Sequence, residues 1–402
     1  MGINYLIVGL VFLVFFVISL ITNILGPLVP EMIQTFSISL GLAGFIPFSF
    51  FLAYGVMSIP SGLLMERYRE KAVIAVAFAM ACAGSLAFAS FPVFRIGLAA
   101  LFLIGLGMAM LQVAINPLLR VAGGEEHFAF NSVLAQFIFG LASFISPQIY
   151  AYFVRDLGLH WISLYWLFAA VTLLMIVVVL AAPLPRVTLK EDERIGGWET
   201  HKGLLRHRYV WLYALGIFCY VGFEQGVANW ISQFLQTYHG FDPRTVGANA
   251  VSGFWGLMTV GCLVGLVLLK LIDSRYVLIA AATGAVAALT VALFGSARVA
   301  LLAFPAVGFC ASVMWSIIFS LALNSATGHH GSFSGILCSA VVGGAVVPLL
   351  IGWQGDLVGL RQSMLLLYVP LGYILAIGFW ARPIVTNATL TLKKKDAQPV
   401  SP

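Results

Sequence analysis

Charge is what this sequence has least of. Only 9% of its 402 residues are charged and 61% are hydrophobic, against roughly 25% charged and about half apolar in a soluble domain. A water-soluble globule is thereby excluded. Cysteine is nearly as scarce. Cys82, Cys219, Cys262, Cys310 and Cys338 fall inside apolar runs, without metal-ligand or pairing spacing, so they read as small packing residues. The alternating segments of about ten residues that mark a membrane β-barrel are missing. No nucleophile–base pair, metal cluster or phosphate loop is visible, so nothing points to an enzyme or to a resident cofactor. The first apolar run has neither a basic start nor a small-residue cleavage site after it, and reads as a retained helix, not a signal peptide.

What is present is apolar length. A crossing helix needs about 20 apolar residues, and twelve runs qualify: 5–28, 42–65, 71–92, 95–119, 130–154, 161–183, 209–236, 246–270, 276–294, 298–323, 333–354 and 362–382. Helices satisfy their own backbone hydrogen bonds, which a bilayer demands. The expected class is an all-α membrane protein with lipid as its solvent. Arg67, Arg69, Lys71, Arg120, Arg186, Lys190, Arg194, Lys202, Arg206, Arg208, Lys270, Arg275, Arg382 and Lys393 to Lys395 fall on one side, and Arg95, Arg155, Arg244, Arg298 and Arg361 on the other. This bias predicts a multi-pass protein of a plasma (bacterial inner) membrane with both termini cytoplasmic. The net charge of +6 follows from that topology and does not call for a nucleic-acid partner.

The chain reads as two halves. Residues 1–184 and 209–383 are expected to form six-helix bundles, joined by a polar cytoplasmic linker, 185–208, and followed by a cytoplasmic tail, 384–402. The linker holds room for a short surface helix. The halves echo each other at a shift of about 200 residues: Gln34-Thr35-Phe36 recurs as Gln236-Thr237-Tyr238, and Pro147 with Asp156 recurs as Pro348 with Asp356. Repeats of this kind place a transport site near the midplane between them. Nothing asks for more than a monomer.

Polar side chains within the runs point to substrate. Glu224 stands inside the apolar run from Ala214 to Trp230, while every other acid is read at a segment end or in a loop. An ionisable group at bilayer depth marks a functional site by default. Gln225, Asn229, Ser232 and Gln236 fall on one stripe of the same helix. Gln112 and Asn116 share a face one turn apart, with Pro117 freeing the Val113 carbonyl. Asn23 precedes Gly26, Pro27 and Pro30, where a bend is expected, and Gln136 lies in the fifth run. Buried Ser and Thr more often cement helices, and tryptophans often only pack, so Trp230 and Trp315 are alternatives for a ring-stacking role. Amides both donate and accept, which suits hydroxyls. An anion site would want a Lys or Arg at depth, and none is there. An uncharged polyol, such as a small neutral sugar, fits best.

At these residues the chain resembles the fucose/glucose–galactose permease branch of the major facilitator superfamily, most of all its hexose and sodium-dependent glucose carriers. Tyr220-Val-Gly-Phe-Glu224 is similar to the Tyr-Val-Gly-Ala-Glu of hexose members, and Asn116-Pro117, Ala135-Gln136 and Ser58-Ile-Pro60-Ser-Gly-Leu-Leu-Met65 match the branch. So do Ile318 to Asn324, Ser334 to Cys338 and Val342 to Gly352. Gly62-Leu-Leu-Met-Glu66-Arg67-Tyr-Arg69-Glu70-Lys71 looks like the superfamily's G-x-L-x-D-R-x-G-R-K loop, with Glu for Asp and with Arg69 and Glu70 for the Gly-Arg pair. There Glu66 and Arg67 could form a conformational latch.

The resemblance implies two pseudo-symmetric six-helix halves and transport of a neutral monosaccharide (a hexose, deoxyhexose or anhydro-sugar) by alternating access. Asn23, Gln112, Asn116, Gln136, Gln225 and Asn229 would meet hydroxyls, with Glu224 binding a hydroxyl or the coupling ion, H+ or Na+. The acids that couple protons in fucose members fall on Gly26 and Gln112 here, so any coupling would centre on Glu224; facilitated diffusion without an ion is the third option. A drug or metabolite exporter of the same fold is the alternative, since Gly140 to Pro147 partly resembles an antiporter span 5.

Overall fold

The computed structural model describes residues 5–123, 128–184, 198–326 and 329–384. Among them, twelve helices are long and apolar enough to cross a membrane, one for each run expected from the sequence. They are span 1 (Tyr5–Phe36), span 2 (Leu40–Met65), span 3 (Glu70–Ser90), span 4 (Phe94–Gly123), span 5 (Asn131–Asp156) and span 6 (Ser163–Ala181). Then come span 7 (Arg208–His239), span 8 (Pro243–Leu271), span 9 (Ser274–Phe294), span 10 (Ala297–Leu323), span 11 (His330–Val358) and span 12 (Leu360–Trp380). A short helix, Trp198–Leu204, occupies the described part of the linker. An even number of crossings puts Tyr5 and Ile384 on one side, the near end; the opposite side is the far end.

Several spans are interrupted, and each interruption has a local cause. Span 1 breaks between Thr22 and Leu25, at the Asn23 bend, because the paired prolines Pro27 and Pro30 withdraw backbone donors just beyond it. Its second segment runs on to Phe36 and ends where Ser37 turns left-handed (φ 51°). Span 7 ends in the same way at Gly240 (φ 68°), a residue that adopts this backbone without a Cβ clash. Span 10 breaks at Ser312, whose hydroxyl bonds the Phe309 carbonyl at 2.7 Å. Span 11 tightens to a 3₁₀ turn over Ala340–Val342, ahead of Gly343 and Gly344.

The sequence echo has a structural meaning. At the end of span 1, Thr35 Oγ1 accepts the Trp161 indole N–H at 2.9 Å, and Phe36 packs edge-on against the Trp161 ring, just before span 6. At the end of span 7, the Tyr238 hydroxyl accepts the Arg361 backbone N–H at 2.9 Å, and the Arg361 guanidinium stacks 4.4 Å from the Tyr238 ring, at the start of span 12. The first helix of each half thus holds the start of that half's sixth helix. Outward faces are leucine and valine, as on span 6 (Leu173, Leu174, Val177, Leu180) and span 8 (Val260, Leu263, Val264, Val267), as lipid requires.

Between the halves, the far end is sealed. The Cβ that Gly26 lacks would meet the Ala228 carbonyl of span 7, so spans 1 and 7 touch backbone to backbone there. Gln148 of span 5 donates to Asn249 Oδ1 and Ser252 Oγ of span 8, both at 2.9 Å. Asp356 of span 11 accepts the Leu40 and Gly41 N–H groups at the start of span 2, each at 2.9 Å.

Candidate substrate-binding site

Glu224 lies midway along span 7, half-buried. The Tyr220 hydroxyl, one turn earlier, donates to its Oε1 at 2.8 Å, and the Gln225 amide reaches Oε2 at 3.5 Å. Tyr220 is buried and its ring lies 6.0 Å from that of Trp315, which stacks on Phe319 at 5.8 Å with an interplanar angle of 19°. The carboxylate is therefore held at one edge of an aromatic wall contributed by spans 7 and 10. Trp315 is only half-buried, and Ser316 and Ser320 beside it are exposed.

On the other half, Asn116 and Gln136 are exposed and Gln112 is half-buried. Asn116 Nδ2 bonds back to the Gln112 carbonyl at 3.1 Å, and Gln112 Oε1 accepts the Tyr54 hydroxyl at a long 3.5 Å. All these exposed polar groups sit in the near-end portions of their spans. Amides and hydroxyls left open at bilayer depth are costly against lipid and stable against water. They are therefore candidates for the lining of a water-filled opening on the near-end side.

The remaining candidates are placed differently. Asn23 is buried; its Nδ2 donates to Ser143 Oγ at 2.8 Å and Ser19 Oγ at 3.2 Å, while the Ser19 hydroxyl reaches the Phe139 carbonyl at 2.5 Å. It fastens span 1 to span 5. Gln225, Asn229 and Ser232 form the expected stripe, yet all three are buried in the closed far-end half. Asn229 Nδ2 bonds the Gln225 carbonyl at 2.8 Å and Oε1 at 3.1 Å. Trp230 is 1% exposed, its indole N–H directed at the Pro348 carbonyl of span 11, 3.2 Å away. Of the two alternative tryptophans, Trp315 is the one left half-buried beside exposed polar side chains. Arg67 is exposed, with its guanidinium 5.7 Å from the Tyr68 ring; the Glu66 side chain is outside the described residues.

One reading needs correcting. Glu224 is not alone among carboxylates inside the spans: Glu31 is 5% exposed within span 1, where Arg244 Nε meets its Oε1 at 2.6 Å. The first run looked finished at residue 28 because Pro30 follows the bend. The helix resumes at Leu25, with Pro27 in its first turn, where the missing N–H would have no intrahelical acceptor, and runs on past Pro30 to Phe36. The signal was the pairing of this acid with a lone arginine opening span 8, and nothing local joins them.

Comparison with known proteins fits this geometry. The family model described as Major Facilitator Superfamily matches residues 11–340. The chain belongs to the Major Facilitator Superfamily. Within it, the glucose/galactose transporter of Brucella abortus biovar 1 (strain 9-941) is 30% identical over 379 residues, covering 90% of each chain. The L-fucose-proton symporter of Escherichia coli (strain K12) is 25% identical over 377 residues, covering 86% of each. The crystal structure of the E. coli fucose:proton symporter aligns with a TM-score of 0.67 at 22% identity, over 93% of this chain and 98% of that one; this likeness concerns the fold. As a superfamily member the protein is a membrane transporter, not an enzyme.

Proposed function

We propose that this superfamily member carries a neutral monosaccharide across the membrane by alternating access. The observation that carries the reading is the Tyr220–Glu224–Trp315 corner, a carboxylate beside an aromatic face, with neutral amides and hydroxyls exposed in the near-end portions of both halves. A pyranose offers hydroxyls at its edge and C–H groups on its faces, and such a wall matches both. The Brucella relative, a glucose/galactose transporter, and the E. coli relative, an L-fucose-proton symporter, support the sugar class.

In this reading residues 1–184 and 209–383 rock against each other as a monomer, joined by 185–208 and trailed by 384–402. Basic residues crowd the near end, which supports a cytoplasmic near end and an inward-open state here. Asn116, Gln136 and Gln112 meet the sugar first. Gln225, Asn229 and Asn23 become available as the far end opens. Glu66 and Arg67 would latch the near end in that second state. Coupling, by H+ or by Na+, centres on Glu224. The proton-coupled E. coli relative supports H+, and Gly26 and Gln112, which stand at the positions of the fucose members' acids, serve helix contact and a Tyr54 hydrogen bond here.

Uptake of a labelled panel of neutral monosaccharides into proteoliposomes, with and without imposed H+ and Na+ gradients, tests this. Saturable uptake of one or more sugars is expected, with gradient-driven accumulation that Glu224→Gln abolishes. Uptake of none of the panel would overturn the sugar reading.

A further inference from the structure

The far-end seam contains carboxylates that the proposed sugar site does not use. Glu31, from span 1, is buried and accepts three hydrogen bonds. Arg244 Nε reaches Oε1 at 2.6 Å and Arg244 Nη2 reaches Oε2 at 3.3 Å, while the Tyr150 hydroxyl of span 5 reaches Oε1 at 2.9 Å. Tyr150 belongs to the same half as Glu31, and Arg244 opens span 8 of the other half. Arg244 is itself fixed, because Asp242 Oδ1 accepts its backbone N–H at 3.0 Å. The second carboxylate runs in the opposite direction: Asp356 of span 11 caps the Leu40 and Gly41 amides of the first half. There is no space for a side chain at Gly41, since a Cβ would press on Asp356 Oδ2 and on Trp353.

Each half therefore offers one acid to the other across the same seam. If the halves separate at the far end, as the transport reading on which this rests requires, Glu31 keeps Tyr150 but loses the Arg244 guanidinium. Asp356 loses both amides. Neither contact is compatible with an open far end. We propose that Glu31–Arg244, steadied by Tyr150, and Asp356 with the Leu40 and Gly41 amides are reciprocal clasps that close the far end, and that they set the balance between the two states of the carrier.

The contribution is conformational. Removing Arg244 leaves the buried Glu31 carboxylate uncompensated, so the closed state loses stability while the open state, where the pair is already broken, is little affected. Arg244 is half exposed at the rim, so its charge is easily solvated once released. This makes the clasp reversible.

Distances between spin labels test it in the full chain in lipid, with the five native cysteines replaced by alanine. Labels at Ser90→Cys and Ser296→Cys report the far end, and labels at Tyr68→Cys and Tyr276→Cys the near end; all four positions are exposed. In the parent protein short far-end distances should dominate. Arg244→Gln should raise the ratio of far-end-open to far-end-closed molecules about tenfold or more, and Glu31→Gln, which leaves only a half-exposed arginine, should raise it by less, with Asp356→Asn adding to either. The charge swap Glu31→Arg with Arg244→Glu should recover part of the closed population. Where a neutral variant does not fold, Glu31→Asp, which withdraws the carboxylate by one methylene, should give a smaller shift of the same sign. Variants whose far-end distances match the parent overturn the clasps, provided the parent still responds to sugar. A parent whose distances respond neither to sugar nor to any variant counts instead against alternation itself.

Discussion

Tyr220 donates its hydroxyl proton to Glu224 across 2.8 Å, one helical turn away on the same span. The bond orients the carboxylate along span 7 and leaves its second oxygen with only a long contact to Gln225. A sugar hydroxyl or a coupling ion would meet that second oxygen. Tyr220→Phe keeps the ring against Trp315 and removes only the donor. A hydrogen bond to a charged group contributes about 1.5–3 kcal/mol, so sugar affinity should fall about 10- to 100-fold with the protein still folded. Binding titrations of Tyr220→Phe and the parent check this; equal affinities would remove Tyr220 from the site.

Gly26 makes a different prediction. Because its missing Cβ would meet the Ala228 carbonyl, Gly26→Ala should prop spans 1 and 7 apart, at an overpacking cost of about 1–3 kcal/mol. Sealing of the far end should weaken and exchange of sugar should slow. Alkylation of a cysteine placed at Asn229, buried in this seam, reads the opening directly. Its rate should rise in the Gly26→Ala background, and an unchanged rate would place the seam elsewhere.

The two central tryptophans should separate cleanly. Trp315→Phe should lose the sugar-dependent change in tryptophan fluorescence, because Trp315 is half-buried against Tyr220 and beside exposed serines. Trp230→Phe should keep that change. It should instead lower thermal stability by about 1 kcal/mol, the usual worth of a hydrogen bond such as the one to the Pro348 carbonyl. A sugar signal that vanished with Trp230 would reverse the assignment.

Asn23 should prove a structural fastener in this state. Ser143→Ala removes the hydroxyl that accepts from Asn23 Nδ2 and touches Ser19, leaving a buried amide short of a partner at a cost of about 1–3 kcal/mol. The melting temperature should drop while sugar specificity, read from competition among sugars, stays as it was. A changed specificity at unchanged stability would place Asn23 in sugar contact in this state as well.

Much of this was legible in the sequence because it depends on local quantities. Apolar length gives the twelve spans, the Asn23–Pro30 stretch gives the bend, and the recurrence of Gln34-Thr35-Phe36 as Gln236-Thr237-Tyr238 gives the repeat. The polar partners of Glu224 also follow locally, since a carboxylate at bilayer depth must find polar company. The echo misleads at one place. Asp156 and Asp356 occupy matching positions, yet Asp156 pairs with the adjacent Arg155 at the surface and Asp356 crosses to the other half.

Chain order and composition thus determined the solvent, the number of crossings and the lone acid of span 7. Tertiary structure decided the partners. Glu31 meets an arginine 213 positions away, and its cost at depth disappears only in that contact, so no window of sequence could reveal it. Likewise Trp230 and Trp315 are the same residue type in apolar helices, and only packing against span 11 or against Tyr220 tells them apart. The stripe of Gln225, Asn229 and Ser232 is polar by sequence but buried by the closure of two halves. Burial there is a property of how separately coded surfaces meet, and that meeting changes when a carrier moves.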